Sequence, residues 1–166
     1  MALVKTAELH GSDVSIVDAV IKFNRDRKSK MADRVIAAMG GSVADVSIAI
    51  LGLAFKPETD DMRDSPSLDI VSALTALGAK LRVYDPKAME EARSLLPYGV
   101  TFCGSAIECL KGAAAAVVVT EWNEFRALTP AQFATEMVGN VLIDLRNVYE
   151  PSVMREAGFH YVSIGR

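Results

Sequence analysis

Five short runs, "VSIAILGL", "KLRVYD", "AAVVVTE", "VLIDL" and "YVSIG", are β-branched and almost continuously apolar. A strand with one wet face alternates apolar and polar residues, whereas an unbroken apolar run suits a strand buried on both faces, as in a parallel sheet. Parallel neighbours need a crossover between them, and helical stretches stand in the right places to supply it. Residues 66–77 follow Ser65 as N-cap, with Pro66 in the first turn; 87–96, 105–111 and 130–138 come next, and 151–157 opens on Pro151. Gly78, Gly112, Gly139 and Gly158 stand where these helices should stop. Strand and helix therefore alternate from residue 46 to the end, which predicts an α/β domain with a doubly wound parallel sheet.

The chain before residue 42 has a different grammar. From Asp13 to Met39 there is neither Gly nor Pro. Apolar residues recur at Val17, Val20, Ile21, Met31, Val35 and Ala38, and Asn24 stands where the pattern calls for another. One continuous helix here would be about 27 residues and roughly 40 Å long at ~1.5 Å per residue. Its middle, "FNRDRKSKMADR", is polar nearly all round, as in a helix that bridges two bodies. Gly40-Gly41 ends it, so residues 1–41 are read as a long helical segment and 42–166 as the α/β domain. Asp26 and Asp33 interleave the basic run "NRDRKSK", which makes it a solvated face and not a nucleic-acid patch.

The totals exclude several functions. A net charge of −3 and a pI near 5.4 give no general attraction to nucleic acid or an anionic membrane. No apolar run approaches the ~20 residues of a membrane span, and the opening "MALVKTAELHGSD" is no leader, so a cytoplasmic protein is expected. Cys103 and Cys109, with His10 and His160 elsewhere, have no metal-ligand spacing and read as reduced core residues.

In an open parallel sheet ligands sit at the carboxyl ends of the strands, and the exit loop of the first strand borders that crevice. Here that loop is residues 52–65. A dinucleotide fingerprint needs glycines spaced G-x-G-x-x-G, yet after Gly52 the next glycine is Gly78, so this sheet lacks the usual NAD loop. Asp85 ends the second strand where such folds place a ribose-binding carboxylate; without the glycines it reads as a strand exit and helix cap. The loop itself carries Lys56, Glu58, Asp60, Asp61, Arg63 and Asp64. Internal ion pairs on a wet surface would account for these charges. Phe55 beside Lys56, however, sets an aromatic and a cation together at a strand end, a pairing suited to a phosphate or a sugar hydroxyl. Arg146 follows "VLIDL" at another strand exit, where a guanidinium suits bidentate phosphate contact. Trp122 in "TEWNEF" reads as a packing or cap residue.

"ILGLAFKPETDDMRDSPSLDI", followed by "VYDP", "VVVTEWNEF" and "VLIDLRNVY", resembles the carboxyl-terminal part of the UDP-glucose 6-dehydrogenase family, and the likeness covers residues 13–166. The resemblance implies a Rossmann-like, UDP-sugar-binding domain preceded by one long α-helix from a central dimerisation region. It implies that Phe55, Lys56 and Arg146 contact the substrate, that Arg63 reaches an NAD held mainly by an amino-terminal domain, and that copies pair through the long helix. The family oxidises the sugar C6 alcohol to a carboxylate with two NAD, through a cysteine in a Gly-Gly-Ser-Cys-Phe-Pro stretch. No such stretch occurs here, so no catalytic residue is assigned, the chain alone is expected to be inactive, and Met1-Ala2 reads as the start of a fragment or a truncated frame. Two alternatives stay open: the domain of a GDP-mannose or UDP-N-acetylmannosamine dehydrogenase, against which "TEWNEF" tilts, and a non-catalytic nucleotide-sugar-binding or dimerisation module.

Overall fold

The computed structural model describes Thr6, Leu9, His10 and residues 14–165, apart from the side chains of Arg25 and Ser29. The expected helix start at Asp13, and most of the segment before it, lie outside the described residues. Along the chain come α1 (Ser15–Ala38), β1 (Ser47–Leu51), α2 (Pro66–Ala76), β2 (Lys80–Tyr84), α3 (Met89–Leu95), β3 (Thr101–Phe102) and α4 (Ala106–Leu110). Then follow β4 (Ala115–Val118), α5 (Asn123–Arg126), α6 (Pro130–Glu136), β5 (Val141–Asp144), α7 (Pro151–Glu156) and β6 (His160–Ser163).

All strand pairs are parallel, and the order is β3-β2-β1-β4-β5-β6. The burial follows the sequence logic. β4 is buried at every residue, and β1 and β5 at all but their first, because helices cover both faces of the middle of the sheet. β2 and β6, nearer the edges, alternate between buried and more accessible positions. Two elements escape the sequence pattern. β3 has two residues and α5 has four, both too short for a period to register.

The chain order reverses between β1 and β4, so the ligand crevice of the fold is the gap above their carboxyl ends. α1 closes one side of that gap. Its second half packs on α2 and β5, with Ala32 and Val35 buried. Arg34 Nη1 donates to the Ser163 carbonyl at 2.6 Å, and Lys28 Nζ donates to the Asp64 carbonyl at 2.5 Å. The helix stops where Gly40 takes φ +80° and the Gly41 N–H closes on the Ile36 carbonyl at 2.9 Å. Its first half stands clear: Ile16, Val20 and Phe23 are 80%, 52% and 65% exposed. Val17 and Ile21, which share the apolar period with Val20, are half-buried.

Candidate functional site at the carboxyl ends of the strands

The exit of β1 is clamped from three directions. Asp85, at the exit of β2, is buried and takes five hydrogen bonds. Its Oδ2 accepts from the Leu53 N–H (2.7 Å), the Ala54 N–H (3.0 Å) and the Trp122 indole (3.0 Å), and its Oδ1 accepts from the N–H groups of Lys87 (2.9 Å) and Ala88 (2.8 Å). Ser65 and Ser67 hydroxyls both donate to the Leu53 carbonyl, at 2.7 and 2.6 Å. The Thr120 hydroxyl, from the exit of β4, donates to the Ala54 carbonyl at 2.6 Å. Asp85 therefore caps a turn and holds a loop, and Trp122 is the buried packing residue that the sequence suggested.

This clamp decides what the switch point can hold. A dinucleotide needs open backbone above the first strand and a carboxylate free for a ribose. Gly52 has φ +95°, but Thr120 lies over it: a Cβ built there would meet the Thr120 Cβ and N at 2.6 Å. Asp85 already serves five donors of its own chain. The residues present do not fit an NAD at this position.

Beyond Ala54 the charged loop pairs with itself and its surroundings. The Phe55 N–H closes on the Asp61 carbonyl at 2.9 Å. Arg63 grips the Asp61 carboxylate with Nε at 2.9 Å and Nη2 at 2.7 Å, and these hydrogen bonds hold the Asp61 carboxyl down at about 2. Lys87 Nζ reaches Glu58 at 3.2 Å, and Lys28 lies 3.8 Å from the Asp64 carboxylate. Glu58, Asp64 and, at the β5 exit, Asn147 take left-handed backbone, a cost that tight loops bear when their surroundings fix them. Lys56 is exposed and has no hydrogen-bond partner among the described residues.

Arg146 is placed by a second buried carboxylate. Asp144 ends β5, fully buried; its Oδ1 accepts from the Arg146 N–H at 3.0 Å, and its Oδ2 accepts from the Tyr149 N–H at 2.9 Å and the Tyr161 hydroxyl at 2.7 Å. The Arg146 guanidinium meets Glu121, at the exit of β4, edge to edge: Nε and Nη2 each donate to one carboxylate oxygen, Nη2 at 2.6 Å.

A cleft of about 780 Å³ lies between these exits and α1. Phe55, Val119, Leu145 and Arg146 line it from the sheet side, and Asn24, Arg27 and Lys28 from the helix. Two of the four residues singled out from the sequence, Phe55 and Arg146, thus share one cleft. Lys56 and Arg63 stand on the same loop but are not among its lining residues. Sequence reasoning missed Glu121 and the helix residues. "AVVVTE" and "VLIDLR" do end two adjacent parallel strands, a juxtaposition that points to the Glu121–Arg146 pair once the strand order is known. Asn24 carried its own signal, as a polar residue in an apolar period.

Neither cysteine lines the cleft. Cys103 and Cys109 are buried and free, and Cys109 lies under the sheet, its thiol 3.2 Å from the Arg82 carbonyl. Among the described residues no group of acidic, His or Cys side chains could hold a metal ion, and no helix is long and apolar enough to cross a membrane.

Comparison with known proteins agrees with this architecture. The sequence model of the UDP-glucose/GDP-mannose dehydrogenase family, UDP binding domain, matches residues 49–151. A UDP-glucose 6-dehydrogenase of Rhizobium meliloti is 46% identical over 166 residues, covering 100% of this chain and 38% of the relative. Another, YwqF of Bacillus subtilis, is 36% identical over 99% of this chain and 37% of its own length. The chain therefore spans less than two-fifths of the curated relatives it matches. Among solved structures, an NDP-N-acetyl-D-galactosaminuronic acid dehydrogenase of Methanosarcina mazei superposes with TM-score 0.83, at 26% identity over 99% of this chain and 36% of that one. A UDP-glucose dehydrogenase of Pyrobaculum islandicum superposes with TM-score 0.76, at 28% identity over 97% and 34%. A parallel sheet ordered 3-2-1-4-5-6, a switch point filled by its own clamp and a matching sequence along most of the sheet lead to one conclusion: the chain belongs to the UDP-glucose/GDP-mannose dehydrogenase family, as its UDP binding domain.

Proposed function

We propose that this chain is the substrate-binding part of a UDP-glucose 6-dehydrogenase, which converts UDP-glucose and two NAD to UDP-glucuronate, and that it recognises the nucleotide sugar in the cleft between α1 and the strand exits. The carrying observation is that Phe55 and Arg146, from two different strand exits, line one cleft of about 780 Å³, within the usual range for a small-molecule site. Lys56, an exposed cation next to Phe55, reaches the ligand from the rim. Arg63, held out by Asp61, addresses an NAD carried by another domain, in keeping with the lack of room at Gly52. NAD supplies the hydride acceptor when bound there; the residues here bind and orient the sugar. No catalytic residue is assigned, since the family's cysteine-containing stretch has no counterpart in this chain.

The long helix has a second task in this reading. Ile16, Val20 and Phe23 recur at helical spacing and are exposed, so α1 pairs with a second copy, in a protein that works in the cytoplasm. A monomeric mass by light scattering at high protein concentration contradicts that pairing.

Saturation-transfer NMR with UDP-glucose and GDP-mannose in competition tests the ligand, because it registers weak binding. The expected result is a uridine-selective signal that Lys56→Ala or Arg146→Ala removes. Preferential displacement by GDP-mannose would move the assignment to a GDP-mannose dehydrogenase. No signal from either nucleotide sugar would mean that the site is completed by another part of the enzyme, or that the role of the chain is assembly.

A further inference from the structure

An arginine at the mouth of a nucleotide-sugar cleft is most simply a phosphate-binding fork, but the fork of Arg146 is already taken. Glu121 receives its Nε and Nη2, one hydrogen bond on each carboxylate oxygen. The two residues leave adjacent parallel strands, with Val118 in register with Asp144, so the backbone presents them side by side. The pair is also well seated, with side chains only 35% and 23% exposed. Burial pushes the Glu121 carboxyl up, yet the hydrogen bonds from Arg146, a hydrogen bond to backbone and the charges of Arg146 and Arg126 together outweigh it and leave the group below its ordinary value. At the other end, the Asp144 carboxylate fixes the Arg146 backbone. What faces a ligand is therefore the outer edge of a guanidinium whose charge is balanced.

We propose that Glu121 is a positioning residue and a determinant of specificity: it turns Arg146 from a free cation into a neutralised, directional donor that reads an uncharged oxygen of the ligand, a sugar hydroxyl or a base carbonyl. The inference rests on the nucleotide-sugar reading of the cleft. A bare cation attracts any phosphate, whereas a balanced guanidinium gains from a ligand only where an acceptor meets its remaining N–H groups. Glu121 thus lowers the affinity for a nucleotide diphosphate as such and raises the dependence on the sugar.

The test compares UDP-glucose with UDP on the wild-type chain, Glu121→Gln and Glu121→Asp, and follows the Arg146 Nε–H by 15N NMR without ligand. The wild type should show a slowly exchanging Nε–H signal and prefer UDP-glucose over UDP. In Glu121→Gln the signal should broaden and the preference should fall about tenfold, with UDP itself bound more tightly. Glu121→Asp keeps the charge but, one methylene shorter, draws the carboxylate back from the fork nitrogens; a purely electrostatic role would leave it like the wild type, whereas positioning predicts the same broadening and a reduced preference. An unchanged preference in Glu121→Gln overturns the proposal. If the wild type binds neither nucleotide, the nucleotide-sugar reading fails and the specificity role fails with it. The Nε–H signal then still decides, independently, whether Glu121 positions Arg146.

Discussion

Replacing Asp85 with Asn removes little volume but breaks the clamp that shapes the site. The native carboxylate accepts from Leu53, Ala54 and Trp122 on one oxygen and from Lys87 and Ala88 on the other. An asparagine keeps the three bonds to its amide oxygen only by turning its NH2 toward the Lys87 and Ala88 N–H groups. The buried Ala88 donor and the part-buried Lys87 donor then lose their acceptor and face another donor. At about 1–2 kcal/mol for each such loss, Asp85→Asn should destabilise the domain by about 2–4 kcal/mol. With a urea dependence of about 2 kcal/mol/M for a protein of this size, the unfolding midpoint should fall by about 1–2 M. Trp122, the only tryptophan in the chain, is buried and reports the transition by fluorescence; far-ultraviolet circular dichroism is a second probe that does not depend on its contact with Asp85. A change below about 0.5 kcal/mol, the range of an ordinary surface substitution, would refute the claim that Asp85 organises the β1 exit.

Other consequences follow from the same geometry. Gly52→Ala combines a left-handed backbone with a contact at 2.6 Å to Thr120. It should cost about 3 kcal/mol or more, and a melting curve like the wild type's would contradict the close approach. Tyr161→Phe deletes the 2.7 Å bond to the Asp144 carboxylate and should lower stability by about 1–2 kcal/mol, read by urea unfolding. The Asp61 carboxyl should titrate at about 2 by carbon NMR and return toward 3.8 in Arg63→Ala. Because its folded value is depressed, its contribution is complete above the ordinary carboxylate value and fades as pH falls through about 2. A wild-type midpoint already near 3.8 would dissolve the Arg63–Asp61 pair as a feature of the protein in solution.

The apolar runs revealed the sheet because strands buried on both faces have no polar alternation to confuse the reading; β1, β4 and β5 are such strands. Ser65 and Pro66 marked the start of α2 because capping chemistry is local. β3 and α5 stayed hidden, since two or four residues carry no period. At the site, Phe55, Lys56 and Arg146 could be named as candidates from their places at strand exits and Arg63 from the family resemblance, but which of them share a cleft depends on where α1 lies, and no local pattern encodes that. Glu121 was illegible for a related reason. Its partner is 25 positions away, brought beside it by strand order alone. The loop's acids were read as holding its cations, and Asp61 on Arg63 does so in the folded chain.

We propose that a nucleotide sugar occupies the cleft between α1 and the exits of β1 and β5. Titrating 15N-labelled protein with UDP-glucose and mapping the amide shifts tests it most directly. The largest shifts should fall on Phe55, Leu145 and Arg146 on the sheet side and on Asn24 and Lys28 across the cleft. Shifts confined to the groove around Arg93, Tyr98 and Phe102 at the β3 edge, with the cleft unmoved, would contradict it.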